Sequence, residues 1–83
     1  MSVAQWRSKY AFLVWSNPDA SDSVYLRAAL LNPHLVILLD ALATFGLIRL
    51  REEWDAVRET ERGGKVAWYV DSMLSHFVAG IQP

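Results

Sequence analysis

Residues 32–57 read NPHLVILLDALATFGLIRLREEWDAV, and this stretch decides the fold of the chain. Asn32 can cap the first turn of a helix, and Pro33 suits the first helical position, where no backbone N–H donor is needed. Residues with helical spacing continue to Phe45, and Gly46 follows at a position that suits a left-handed C-terminal cap. The sequence therefore predicts a helix from Pro33 to Phe45 and a second helix directly after the glycine.

The two helices differ in their predicted surroundings. The first contains only three polar residues after its proline, which are His34, Asp40 and Thr44. A helix that is apolar all round is typically buried. The second carries one narrow apolar seam, formed by Leu47, Leu50, Trp54 and Val57. Its i,i+4 charge pairs, Arg49 with Glu53 and Arg51 with Asp55, predict a solvated face.

The N-terminal segment predicts a helix from Val3 to Trp15. Ser2 and Gln5 have the spacing of a capping box, and apolar residues recur at helical intervals after them. Because the segment from Tyr10 to Trp15 is rich in β-forming residues, a strand there is the alternative.

Two further elements complete the chain. Asn17-Pro18-Asp19 predicts a turn, after which Ser21 or Asp22 caps a short helix that ends at Leu31. The segment from Arg62 to Lys65 contains two glycines and predicts a flexible break before the last helix. One face of that helix is apolar: Val66, Val70, Met73, Leu74, Phe77, Val78 and Ile81. We therefore predict an all-α fold, a compact bundle of four to five short helices in a single domain over residues 1–83.

The composition is unusually apolar for a small domain. The 83 residues are 53% hydrophobic and 12% aromatic, with no cysteine and a net charge of -1. A chain of this length buries only about 60% of the surface that its unfolded form exposes, so apolar groups must remain at the surface or meet a partner.

The balanced charge disfavours a protein that binds nucleic acid through phosphates alone. The absence of cysteine excludes thiolate zinc sites and disulfides and favours a reducing compartment, so we expect a cytoplasmic protein.

No membrane segment is predicted. The window from Ala28 to Ile48 has about the length of a spanning helix and Asp40 as its only charged residue. However, Pro33 and Gly46 divide it into pieces that are too short to span, and a carboxylate near the middle is costly. The N-terminal apolar run is also too short for a secretory signal.

Residues with catalytic side chains occur without a working arrangement. Asp71, Ser72, Ser75 and His76 contain the residue types of a hydrolase triad, but neighbours on one helix point in different directions. The Gly63-Gly64-Lys65 segment lacks the Ser or Thr of a phosphate-binding loop. Neither His34 nor His76 has a second metal ligand at helical spacing. We therefore predict no enzymatic activity, no metal and no cofactor.

The aromatic residues near both ends of the chain are the candidate partner-binding residues. On the last helix, Trp68 lies opposite the apolar stripe, with Tyr69, Ser72 and His76 beside it. Exposed tryptophan and tyrosine are enriched in interaction hot spots. The alternative is that the first helix, which carries Trp6, Tyr10 and Trp15, covers this side. The predicted partner-binding residues are Trp68, Tyr69, Ser72, His76, Trp15 and Tyr10.

Three segments, Val24–Leu31, Leu35–Leu42 and Phe45–Trp54, resemble a pattern in small helical bacterial antitoxin-like proteins encoded beside nucleotidyltransferase-like toxins. The resemblance implies a protein that binds and masks a toxin, and it brings no catalytic residue with it. It does not extend to the N-terminal aromatic segment or to the region of Trp68.

We therefore expect an interaction module, antitoxin-like or inhibitory, that binds another protein or a second copy of itself. The alternative is a helix-turn-helix DNA-binding regulator that acts as a dimer through residues 33–45 and 47–60. Against it, Glu52, Glu53 and Asp55 would bring carboxylates towards phosphates, so nucleic-acid binding is not expected without a partner.

Overall fold

The computed structural model describes residues 2–17 and 19–81, with only the backbone of Ile81, and its regular elements are all helices. Its elements are α1 (Val3–Lys9), a 3-10 helix (Ala11–Val14), α2 (Asp22–Leu31), α3 (Leu35–Phe45), α4 (Leu47–Val57) and α5 (Glu61–Ile81). The Cα radius of gyration is 12.1 Å, close to the value of about 12 Å expected for a folded chain of this length. The all-α bundle is therefore confirmed. The predicted turn at Pro18 lies outside the described residues.

The first helix is shorter than predicted. Its capping box is present: the Ser2 hydroxyl accepts a hydrogen bond from the Gln5 backbone at 3.2 Å, and the Gln5 amide oxygen accepts one from the Ser2 backbone at 2.8 Å. However, α1 ends at Lys9, and the 3-10 helix Ala11–Val14 follows. Neither the continuous helix to Trp15 nor the alternative strand is found. Aromatic and β-branched residues in this segment have weak helix propensity, which favours a short, tighter turn.

The centre of the fold is α2, which packs on α3, α4, α5 and the 3-10 helix. Of the two predicted caps it uses Ser21, whose hydroxyl accepts a hydrogen bond from the Val24 backbone at 3.4 Å. Leu26, Ala29 and Leu30 are completely buried. This helix therefore forms the middle of the single core.

The structure corrects the prediction for α3 in two ways. The helix begins at Leu35 instead of Pro33, because the Asn32 side chain donates back to the Ala28 carbonyl at 3.3 Å and does not cap the helix that follows. It is also buried on one side only, through Ile37, Leu38 and Ala41. α3 packs on α1, α2 and α4, and these neighbours leave its remaining side open to solvent.

Gly46 is the only residue between α3 and α4. Its φ of +88° and ψ of 161° lie in a region that is essentially restricted to glycine, and its N–H donates to the Leu42 carbonyl at 2.9 Å. Gly46 therefore ends α3 as predicted, but its ψ is extended and does not have the predicted left-handed helical value.

The predicted seam of α4 is confirmed, but part of its solvated face is not. Leu50, Trp54 and Val57 are buried. The Glu53 side chain is also buried, with 8% of its surface exposed. It faces the Arg27 guanidinium at 3.4 Å and that of Arg49 at 3.6 Å. The sequence interval alone does not predict this burial, because it is α2 that brings Arg27 over the carboxylate.

The predicted break at Arg62–Lys65 is wrong, because α5 is helical from Glu61 onwards. Thr60 caps it: its hydroxyl accepts a hydrogen bond from the Gly63 N–H at 3.0 Å. A Cβ atom at Gly63 would lie 1.9 Å from the Val57 carbonyl oxygen. Glycine is thus required there for the close approach of α4 and α5, and it does not act as a flexible linker.

The predicted apolar stripe of α5 is confirmed, since Val70, Met73, Leu74 and Phe77 are buried. The side chain of Ile81 lies outside the described part of the chain. Over the ranges 2–17 and 19–81, no helix is long and apolar enough to cross a membrane.

Candidate functional site

The outer side of α5 carries an exposed tryptophan on a surface of small polar residues. Trp68 is 76% exposed. Ser72, Ser75, His76 and Ala79 are exposed on the same side, because their helical phase is opposite to that of the buried stripe. We call these five residues the α5 face. Two of the predicted partner-binding residues, Ser72 and His76, therefore share one surface with Trp68.

Tyr69 supports the tryptophan and is itself half-buried. Its ring centroid lies 5.6 Å from that of Trp68, at an interplanar angle of 73°. This edge-to-face geometry is the favoured arrangement for aromatic pairs. Tyr69 thus contributes to the site mainly by fixing the Trp68 indole, whereas the sequence predicted it as a contact residue.

The α5 face carries no formal charge. Between Val66 and Gly80 the only charged side chain is Asp71, which is turned towards α4. It accepts hydrogen bonds from the Trp54 indole N–H at 2.7 Å and from the Arg58 guanidinium at 2.8 Å. The hydrogen bond from Arg58 has the largest effect and that from Trp54 the next largest, and together they hold the pKa of Asp71 below its usual range. The carboxylate is therefore committed to joining α4 and α5.

A shallow groove of about 330 Å³ lies beside this cluster, between α4 and α5. Its charged lining residues are Arg51, Asp55, Arg58 and Asp71. Two cations and two anions leave the groove without net charge. Because Arg58 is already bound to Asp71, we assign no ligand to the groove.

The two predicted residues of the N-terminal segment lie in different environments. Trp15 is 82% exposed, whereas Tyr10 belongs to the core. The Tyr10 hydroxyl donates a hydrogen bond to the Asp40 carboxylate of α3, and its ring lies 5.5 Å from that of Trp6. Tyr10 is thus not available at the surface of the folded chain. No ring contact of the described residues joins Trp15 to Trp68, so Trp15 is not part of the α5 face.

A second apolar surface was missed by the sequence analysis. Leu35, Val36, Leu39 and Ala43 are exposed on α3, and we call them the α3 face. Asp40 borders this side in the sequence, but the stripe itself contains only aliphatic residues, so its periodicity does not distinguish it from the buried side. It becomes visible only when the neighbours of α3 are known.

The residues with catalytic or ligating chemistry do not come together. Asp71 is bonded to Arg58 and Trp54, while Ser72 and His76 lie on the outer side of α5. Within residues 2–17 and 19–81, no three His, Cys, Asp or Glu side chains are grouped so that they could hold a metal ion.

Comparisons with protein-family models, curated proteins and solved structures give no match to this chain.

Proposed function

We propose that the chain is a cytoplasmic protein-interaction module that binds a partner protein and masks it, in the manner of a small antitoxin or inhibitor. The observation that carries the proposal is Trp68, a rigid aromatic side chain exposed on the uncharged α5 face. Tryptophan is among the residues most enriched in interaction hot spots, and interface centres are depleted of charge. The absence of cysteine is consistent with the compartment.

The resemblance to antitoxin-like proteins supports the class of partner. The matching segments, Val24–Leu31, Leu35–Leu42 and Phe45–Trp54, coincide largely with α2, α3 and α4. These helices supply much of the core, and α5 lies outside the resemblance. In this proposal the matching segments form the scaffold, and the α5 face supplies the contact with the partner.

The size of the Trp68 contribution follows from its exposed area. A tryptophan buries up to about 250 Å², so covering the exposed 76% removes about 190 Å² from water, worth about 5 kcal/mol. Ordering at the interface reduces this gain. We therefore expect Trp68→Ala to weaken partner binding by about 2–4 kcal/mol, or about 30- to 700-fold in Kd.

The test is co-expression with the products of the neighbouring genes. We expect one of them to arrest growth when expressed alone, to copurify with this chain, and to be neutralised by it. Trp68→Ala should lose neutralisation and retain the helical circular dichroism spectrum. Ile48→Ala is the matched control, because Ile48 is also 76% exposed but lies on α4. Full neutralisation by the Trp68 variant, or no bound neighbour product, would contradict the proposal.

The alternative of a DNA-binding regulator gains no support from α4, its candidate recognition helix. Glu52 and Asp55 are exposed there, and carboxylates at a groove-facing surface repel phosphates.

A further inference from the structure

The α3 face is a surface distinct from the α5 face and is not used by the proposed function. Val36 is 62% exposed and Leu35 52% exposed, with Leu39 and Ala43 open to solvent beside them. The four residues stand at i, i+1, i+4 and i+8, so they form one continuous stripe along the helix. The packing of α3 on α1, α2 and α4 leaves this stripe uncovered.

We propose that a second copy of this chain covers the α3 face, with the two α3 helices antiparallel and a twofold axis at Leu39. All four side chains are aliphatic and offer no hydrogen-bond donor, acceptor or charge, a composition typical of homodimer interfaces. A twofold interface requires a patch that is complementary to itself, and a uniformly aliphatic stripe satisfies this requirement without paired charges.

The order of side-chain sizes along the α3 face also fits an antiparallel pair. Leu35 and Ala43 each lie four residues, or about 6 Å, from Leu39, in opposite directions along the helix. An antiparallel pair centred on Leu39 therefore places the Leu35 side chain of one copy opposite Ala43 of the other. A large residue meets a small one at both ends, as close helix packing requires.

The charges beside the α3 face do not oppose this pairing. A twofold axis perpendicular to the two helices brings the Asp40 residues of both copies to the same side of the interface. Each Asp40 carboxylate accepts a hydrogen bond from its own Lys9 ammonium at 3.0 Å and another from the Tyr10 hydroxyl. Each copy thus contributes a neutral ion pair at this edge, and two unpaired like charges do not meet.

The size of the α3 face limits the affinity of the dimer. α3 has 11 residues and is therefore about 16 Å long. A standard stable interface buries about 800 Å² per partner, which is more than one helix face of this length supplies. We therefore expect a dimer that dissociates in the micromolar range.

The absence of cysteine makes cross-linking a direct test. Helices in contact have axes about 8–10 Å apart, which brings facing Cα atoms within the range of a disulfide. We expect the single-cysteine variant Leu39→Cys to form a covalent dimer under mild oxidation at micromolar concentration. Ile48→Cys is the matched control, since Ile48 is more exposed than Leu39 but lies on α4, and it should form dimers at least tenfold more slowly.

Sedimentation equilibrium provides the independent measurement. The wild type should pass from monomer to dimer as its concentration rises through the micromolar range, while Leu39→Glu, which places two carboxylates at the axis, should remain monomeric. Ile48→Glu should dimerise like the wild type, and circular dichroism checks that both variants are folded. Any one of three results would overturn the proposal. The first is equal cross-linking of the Leu39→Cys and Ile48→Cys variants, and the second is a wild type that is monomeric at millimolar concentration. The third is dimerisation that is abolished by Trp68→Ala but not by Leu39→Glu. Because Trp68→Ala alone tests the α5 face, failure of this dimer and failure of the proposed function are distinguishable.

Discussion

Two adjacent glycines at the start of α5 provide the sharpest test of the packing. Gly63 is buried against the end of α4, whereas Gly64 is exposed. A Cβ atom at Gly63 would lie 1.9 Å from the Val57 carbonyl oxygen and 2.9 Å from that of Arg58. At Gly64 the same atom would meet nothing within 4 Å. The same substitution at the two positions should therefore have opposite effects.

The effect at Gly63 is a loss of stability. A Cβ atom almost never approaches another atom more closely than 3.0 Å, so Gly63→Ala forces α4 and α5 apart by about 1 Å. The contact is with backbone, so no side-chain rotation relieves it. Overpacking costs about 1–3 kcal/mol, and a clash with backbone belongs in the upper part of that range, at about 2–3 kcal/mol; alanine recovers about 1 kcal/mol of this through its higher helix propensity. We expect a net loss of about 1–2 kcal/mol and a fall in Tm of about 4–16 °C.

The effect at Gly64 is a gain. Alanine has the higher helix propensity and reduces the freedom of the unfolded chain, so Gly64→Ala should stabilise the fold by up to about 1 kcal/mol. Urea denaturation followed by far-ultraviolet circular dichroism measures both variants on one scale. The dependence of the unfolding free energy on urea should be the same as in the wild type, because the folded surface is nearly unchanged.

The comparison also decides between the structure and the sequence-based expectation of a flexible break. In a flexible segment both glycines could accept alanine, and the two variants would shift stability in the same direction. A Gly63→Ala variant as stable as the wild type would refute the close approach of α4 and α5.

Three further outcomes are expected. Gly46→Ala should reduce the free energy of unfolding by about 1–3 kcal/mol in urea titrations, because the backbone at φ +88° and ψ 161° disfavours any side chain. Asp71 has a folded-state pKa below its ordinary value of 3.8, so its stabilising effect is present above pH 3.8 and is lost as the pH falls through the lower folded-state pKa. The free energy of unfolding, measured over an acid titration, should show this loss in the wild type and a flatter profile in Asp71→Asn. Trp15 and Trp68 are exposed, while Trp6 and Trp54 are buried. Iodide should therefore quench part of the wild-type tryptophan emission and hardly any of the emission of the Trp15→Phe, Trp68→Phe double variant. Equal quenching of both proteins would contradict the exposure of Trp15 and Trp68.

Local signals in the sequence predicted the elements that depend on local physics. The capping box at Ser2, the end of α3 at Gly46, and the seams of α4 and α5 were all correct. Each depends on residues within a few positions of one another, where hydrogen bonding and helical phase are decisive. The exposure of Trp68 on the outer side of α5 follows from the same helical phase.

The errors at Glu53, Gly63, Tyr10 and Trp15 concern packing between distant segments. The Glu53 carboxylate is buried because α2 places Arg27 beside it, 26 residues away in sequence. Gly63 was interpreted as part of a linker because its function, a close approach to Val57, is a property of two helices together. Tyr10 and Trp15 were grouped as one aromatic end, yet the core includes the first and not the second. Composition fixes how many apolar residues exist, but it does not fix which side of a helix the bundle covers.

The α3 face is larger than the isolated apolar side chains that a small domain normally leaves exposed. Isolated exposed apolar side chains are normal in monomers, and Ile48 on the charged helix α4 fits that description. On α3, by contrast, all four exposed positions are aliphatic, although a lysine or glutamate at any of them would reach solvent. Such substitutions favour solubility in a monomer, and they oppose association if the stripe is an interface. The absence of a polar residue at all four positions is therefore better explained by a covered face than by an exposed one.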